Sequence, residues 1–187
     1  MRRFPVLVLS LLPCLCACNA LDRARGGTPR EVEATEASSN YAGADLSFTY
    51  FATWTLEPAA DGAGGDTVRL RGPEGYHLEL RVLRNQPDPG AQPKLVVEAL
   101  RKGAERLAAR PHEVMLAGRE AKGLRFSFDT PKRAMAGWVV SLTEGDAELC
   151  VLAQWPANAP RAQQAELETV LRSLRWKVLE RHASTAP

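Results

Sequence analysis

The sequence predicts an α+β domain built on an antiparallel sheet with both faces covered, and three patterns lead to that class. Apolar and polar side chains alternate before and after Gly72-Pro73-Glu74-Gly75, which marks a hairpin. Residues 136–143 and 147–155 are apolar on both sides, which belongs to strands in the middle of a covered sheet. Two apolar stripes at a spacing of three to four residues, one starting at Val96 and one at Leu167, supply the helices.

Taken in order, Phe48, Tyr50, Ala52 and Trp54 alternate with Thr49 and Thr53, so a first strand is expected to end at Trp54. Pro58 and the glycine-rich run 61–65 break it. Val68 and Leu70 share one face of a short second strand, and Tyr76, Leu78, Leu80 and Val82 share one face of the third. After a breaker at 85–93 the period becomes helical. Val96, Leu100, Gly103 and Leu107 predict a helix that ends before Pro111, because the residue preceding a proline is pushed out of the α region. Glu98 and Lys102, like Arg101 and Glu105, are four apart, as on a solvated helix face. Gly118 opens a strand in which Leu124, Phe126 and Phe128 oppose Arg125 and Ser127. The two doubly apolar strands turn at Glu144-Gly145-Asp146: Trp138, Val140 and Leu142 back onto Val139, and Leu149, Val151 and Ala153 onto Cys150 and Leu152. Pro156 and Pro160 end the run, Leu167, Val170, Leu171 and Leu174 stripe the last helix, and Trp176 begins a closing segment.

The amino-terminal region carries an address. Arg2 and Arg3 precede an apolar run over 4–18, the layout of a secretory signal. As a helix that run would rise only about 22 Å, short of a hydrocarbon core of roughly 30 Å. Leu15-Cys16-Ala17-Cys18 resembles the lipobox of bacterial lipoproteins: a branched apolar residue at minus three, a small one at minus one, then cysteine. That resemblance implies cleavage before Cys18, a diacylglyceryl group on its sulfur and an acyl chain such as palmitate on the new amino terminus. The alternative, ordinary cleavage after Ala20, would release a soluble protein. Asn19 following the cysteine resembles the pattern of lipoproteins sorted to the outer membrane, so the periplasmic face of that membrane is the expected location. Several acyl chains at about 0.8 kcal/mol per buried methylene would make the anchor permanent.

Four segments follow: a signal peptide over 1–17, the lipidated cysteine with a flexible tether over 18–45, the α+β domain over 46–178 and a polar tail over 179–187. The tether is polar and aperiodic, and a coil of its length spans about 26–31 Å. Three of the four cysteines lie in the signal region, so Cys150 is left without an intramolecular disulfide partner once Cys18 is acylated. Lys plus Arg number 24 and Asp plus Glu 22, and loss of Arg2 and Arg3 with the leader brings the two into balance. Such a balance argues against nucleic-acid binding.

The domain resembles the PsbP-like and DcrB-like proteins. The likeness rests on the aromatic first strand ending at Trp54, on Gly65-Asp66-Thr67-Val68, on Gly72-Pro73-Glu74-Gly75, on the strand over 118–128 and on Leu171-Arg172-Ser173-Leu174 after the closing helix. It implies an antiparallel sheet sandwiched between helices, an α/β/α arrangement. Because known members are mainly accessory or scaffold proteins, it also implies binding and not catalysis.

The residues themselves offer little chemistry. His77 alternates with Glu79 and Arg81 as in a salt-bridged row, His112 and Glu113 are sequence neighbours that point apart on a strand, and His182 lies in the tail. No zinc spacing, Gly-x-Ser-x-Gly elbow or lysine-bearing phosphate loop is present, since Gly62-Ala63-Gly64-Gly65-Asp66 ends in an acid. Cys150 sits in an apolar string without an adjacent cation, as a buried hydrophobe does. Arg119, Lys122, Arg125, Lys132 and Arg133 form the densest basic stretch, suited to a lipid headgroup or an acidic partner. Trp54, Trp138, Trp155 and Trp176 suit core packing better than a groove.

The reading is therefore a lipid-anchored cell-envelope protein whose domain binds a protein partner, with no catalytic residue, metal or cofactor expected. A small apolar ligand carrier is the alternative, and an enzyme using His77 or His112 the third possibility. With Cys18→Ser the chain should leave the membrane fraction, and mass analysis of the processed wild type should show acyl groups on Cys18; a bare thiol there would remove the anchor.

Overall fold

The computed structural model describes residues 38–59 and 66–178, all within the second of the two units into which the chain divides, 35–187. Its strands are β1 (Ser38–Ala42), β2 (Leu46–Phe51), β3 (Thr55–Ala59), β4 (Thr67–Arg71), β5 (His77–Arg84), β6 (Glu105–Leu116), β7 (Arg119–Asp129), β8 (Ala134–Glu144), β9 (Ala147–Pro156) and β10 (Arg175–Trp176). The helices are α1 (Gln92–Arg101) and α2 (Arg161–Ser173). A seven-stranded sheet runs β3-β4-β5-β9-β8-β7-β6, and a three-stranded one runs β1-β2-β10. Every pairing between them is antiparallel.

Because side chains alternate along a strand, the doubly apolar β8 and β9 feed two separate cores. Trp138, Val140 and Leu142 join Leu149, Val151, Ala153 and Trp155 on one face, with Leu78, Leu80 and Val82 of β5. That face is covered by Leu167, Val170 and Leu171 of α2 together with Leu46 and Phe48 of β2 and Trp176 of β10. On the other face Val139 and Cys150 meet Phe126 and Phe128 of β7 beneath Val97 of α1. Fully burying one such side chain is worth about 1.5–3 kcal/mol. The strands approach closely at two glycines: a Cβ at Gly123 would overlap the Val139 carbonyl oxygen, and one at Gly137 that of Ala153.

The α+β antiparallel class is as expected, whereas the sandwich between helices fits only in part. One face carries a helix, and the other carries a helix joined to a small sheet. The stitching is specific: Ser173 Oγ accepts from Thr49 N (2.9 Å) and donates to Val170 O (2.8 Å) in its own helix, tying the end of α2 to β2.

Four expectations are corrected. Strand β2 stops at Phe51, since Trp54 N donates back to Phe51 O (2.9 Å) and turns the indole inward. There Trp54 packs edge-on against Tyr76 (centroids 6.1 Å apart) and donates from Nε1 to Glu166 Oε2 (2.8 Å). Helix α1 ends at Arg101, well short of Pro111, because Gly103 N and Ala104 N close on Leu100 O (3.1 and 2.9 Å) and the chain leaves as β6. The alanines of 104–109 favour helix on their own, but pairing with β7 prevails, and Pro111 is tolerated because β6 is an edge strand. Pro58 lies within the opposite edge strand, β3, instead of ending a strand. Finally, Ser38–Ala42, placed by sequence in the tether, is strand β1 on β2, where Tyr41 stacks on Phe48 (5.0 Å).

Asp66, just before β4, joins the two sheets. Its Oδ2 accepts from Asp45 N (2.7 Å) and Leu46 N (3.0 Å) at the β1–β2 turn, while Arg84 Nη2 holds Asp45 Oδ1 (2.7 Å). Lys177 N, just after β10, donates to Asp45 O (2.9 Å) and continues the pairing of β10 with β2. Asp66→Ala should lower stability by about 1–3 kcal/mol, since two N–H donors lose a charged acceptor, and Asp66→Asn should lose less. Urea midpoints measure the difference, and equal stability of wild type and alanine variant would refute the clamp.

Candidate functional site

The hairpin of β6 and β7 turns at Ala117 and Gly118, both with positive φ (48° and 78°), as a two-residue turn between right-twisted strands requires. The register that follows sets Val114 against Ala121, His112 against Gly123, Arg110 against Arg125 and Ala108 against Ser127. These residues share the face that α2 covers elsewhere, for Arg125 and Ser127 continue onto Trp138 and Ala136 of β8. Near the turn the face is buried, at Leu116 and Ala121, and farther out it opens to solvent at Arg110, Arg125, Ala108 and Ser127.

The open end forms a cleft of about 370 Å³, floored by Ala108, Ser127 and Ala136 and flanked by Arg110 and Arg125. Two like charges directly opposite on neighbouring strands repel. The other cations of the hairpin are neutralised: Arg106 by Asp129 (2.7 Å), Arg119 by Glu144, and Lys122 by Glu120 (3.2 Å) and Glu113 (3.7 Å). Among the described residues no carboxylate pairs with Arg110 or Arg125. His112, whose ring lies 6.1 Å from that of Trp138, is held below its usual pKa by burial first and then by Arg125 and Arg110.

The sequence-nominated groups are distributed differently. Of the basic stretch, only Arg125 reaches this cleft, while Arg133 donates to Glu74 O (3.0 Å) on another edge. Arg110 lies outside that basic stretch, although counting equal steps outward from the Ala117-Gly118 turn pairs it with Arg125. His77 and His112 are on β5 and β6 and do not form one centre. Cys18 and His182, along with Gly62, Ala63, Gly64 and Gly65, lie outside the described residues. Trp54, Trp138, Trp155 and Trp176 are all core residues. Cys150 is buried, and burial, followed by the charge of Glu148, pushes its thiol up to about 12, so almost no thiolate forms near neutrality. Among the described residues no three His, Cys, Asp or Glu side chains are grouped to hold a metal ion, and no helix is long and apolar enough to cross a membrane.

His77 does sit in a charged row, as the alternation implied. Glu79 receives Arg69 Nε (2.8 Å) and is paired with Arg81, with His77 Nε2 at 3.7 Å. Burial alone would raise the Glu79 carboxyl, but His77, Arg69 and Arg81 outweigh it and hold it at about 2 instead of 4.5. Glu148 is the opposite case: it is 1% exposed, and neither carboxylate oxygen has a hydrogen-bond partner among the described residues.

No protein-family model and no curated protein matches the sequence. Solved structures do match the fold. The solution structure of cyanobacterial PsbP (CyanoP) from Synechocystis sp. PCC 6803 aligns over 80% of this chain and 98% of its own, with TM-score 0.53 and 12% identity. LpqN of Mycobacterium tuberculosis, a protein involved in cell envelope biogenesis, aligns over 79% of this chain and 88% of its own, with TM-score 0.46 and 14% identity. The described domain thus has a PsbP-like α+β fold, as the resemblance implied.

Because the folded pKa of Glu79 lies below its unfolded value, its contribution is present above about pH 4.5 and is lost as pH falls toward about 2. Glu79→Gln should be less stable than wild type at pH 7 and should converge on it through that window, as followed by thermal melts at each pH. Glu148→Met, which removes a buried carboxylate without a hydrogen-bond partner and keeps its volume, should raise the melting temperature at pH 7.

Proposed function

We propose that this protein is anchored by lipid on Cys18 at the periplasmic face of the outer membrane, where its PsbP-like domain binds another envelope protein without catalysing a reaction. The observation that carries the reading is the Leu15-Cys16-Ala17-Cys18 run behind a short apolar leader. The domain's chemistry supports a binding role. Glu79 is engaged by Arg69 and Arg81 with His77 beside it, the Cys150 thiol is buried and protonated, and the cleft at Arg110 and Arg125 is open and cationic. A carrier of apolar cargo has less support, because the two cores are filled by Trp, Phe, Leu and Val side chains.

Partner binding is tested by placing a photo-crosslinking residue at Met115 on the β6 edge, which is 60% exposed, and at Leu95 on α1, which is 52% exposed. Irradiation of intact cells should give a reproducible adduct with one envelope protein from Met115 and none from Leu95. No reproducible adduct at either position would overturn the partner-binding role.

A further inference from the structure

We propose that the cleft between Arg110 and Arg125 is a binding site for a phosphoryl group. Arg110 and Arg125 are register partners on one face of an antiparallel pair, where Cβ atoms stand roughly 4.5–5.5 Å apart, and neither is relieved by a carboxylate among the described residues. Two cations so placed repel one another. An oxyanion seated between them removes that repulsion, and the planar fork of each arginine matches two oxygens of a phosphoryl group. Ser127, beside Arg125 on the same face, adds a hydroxyl donor to the floor. Ala108 and Ala136 keep the floor shallow and leave space over the sheet for the ligand's remaining atoms. The cleft is open to solvent and has a volume of about 370 Å³, enough to admit a phosphoryl group.

This site goes beyond the partner-binding role, and its ligand has two sources with the same chemistry: a free phosphate compound or an anionic phospholipid headgroup. The test is a two-dimensional NMR titration of the full chain carrying Cys18→Ser. The probes are inorganic phosphate, dihexanoyl phosphatidylglycerol below its micelle concentration, and dihexanoyl phosphatidylcholine. Saturable shifts at Arg110, Arg125, Ser127 and the Trp138 indole are expected with phosphate or with phosphatidylglycerol. Tighter binding of phosphatidylglycerol identifies the lipid source, and tighter binding of phosphate the soluble one. The double variant Arg110→Gln, Arg125→Gln should bind at least tenfold more weakly. Lys94→Gln on α1 should bind as the parent does.

The arginine variant should also melt no lower than its parent, because it removes a like-charge pair. Absence of saturable shifts, equal weakening by Lys94→Gln, or a lower melting temperature of the double variant would each overturn the site. So would a stronger response to triglutamate than to phosphate, which would indicate an acidic peptide instead.

Discussion

The architecture depends on β8 and β9 being apolar on both faces. A strand pair of this kind cannot end at a water-exposed surface on either side, so the chain must supply two covering layers. It supplies unequal ones. The Val139 and Cys150 face needs only α1, because Phe126 and Phe128 of β7 already extend that core across the sheet. The Trp138 and Val151 face is larger, and α2 alone does not cover it. Hence β1, β2 and β10 come over as a second sheet, with Leu46, Phe48 and Trp176 pressed against it. Asp66, Asp45, Arg84 and Ser173 fix that sheet in place through hydrogen bonds and one ion pair.

Most of the ionisable side chains near the sheet are used in this construction. Glu79 neutralises Arg69 and Arg81, Asp45 takes Arg84, and Glu144 takes Arg119. A group consumed by an ion pair has little left for a ligand, since a competitor must displace the partner as well as bind. That contrast singles out Arg110 and Arg125. They lie where β6 and β7 run beyond the cover of α2, so no structural task there explains two facing cations.

Legibility in the sequence followed the source of each element's stability. The hairpin of β4 and β5, the strands β7 to β9 and helix α2 owe their form to local alternation or striping, and they lie within a few residues of the places the pattern assigned. Strand β1 and strand β6 owe theirs to partners. Ser38–Ala42 is polar and short and becomes a strand only by pairing with β2, while Glu105–Leu116 contains alanines and a proline and extends because β7 lies beside it. The same nonlocality hid half of the candidate site. Arg125 stood out in a run of cations, whereas Arg110 gains meaning only from the register, which a two-residue turn at Ala117-Gly118 sets.

The edges of the large sheet bear on how this domain meets other molecules. A bare edge strand invites another strand, and both edges here resist it: β3 contains Pro58, and β6 contains Pro111, a register shift near Arg106 and several charged side chains. Each proline withholds an N–H from a would-be partner strand, and the shift at 105–108 disturbs the ladder. Strand addition along β6 is therefore disfavoured even though much of that strand is exposed. Recognition on this side must go through side chains standing on the sheet face, where Arg110 and Arg125 have no carboxylate partner among the described residues. If acylated Cys18 fixes the chain at a membrane, the domain stays within reach of phosphate-bearing headgroups at high effective concentration, so that even a weak two-arginine site would be substantially occupied.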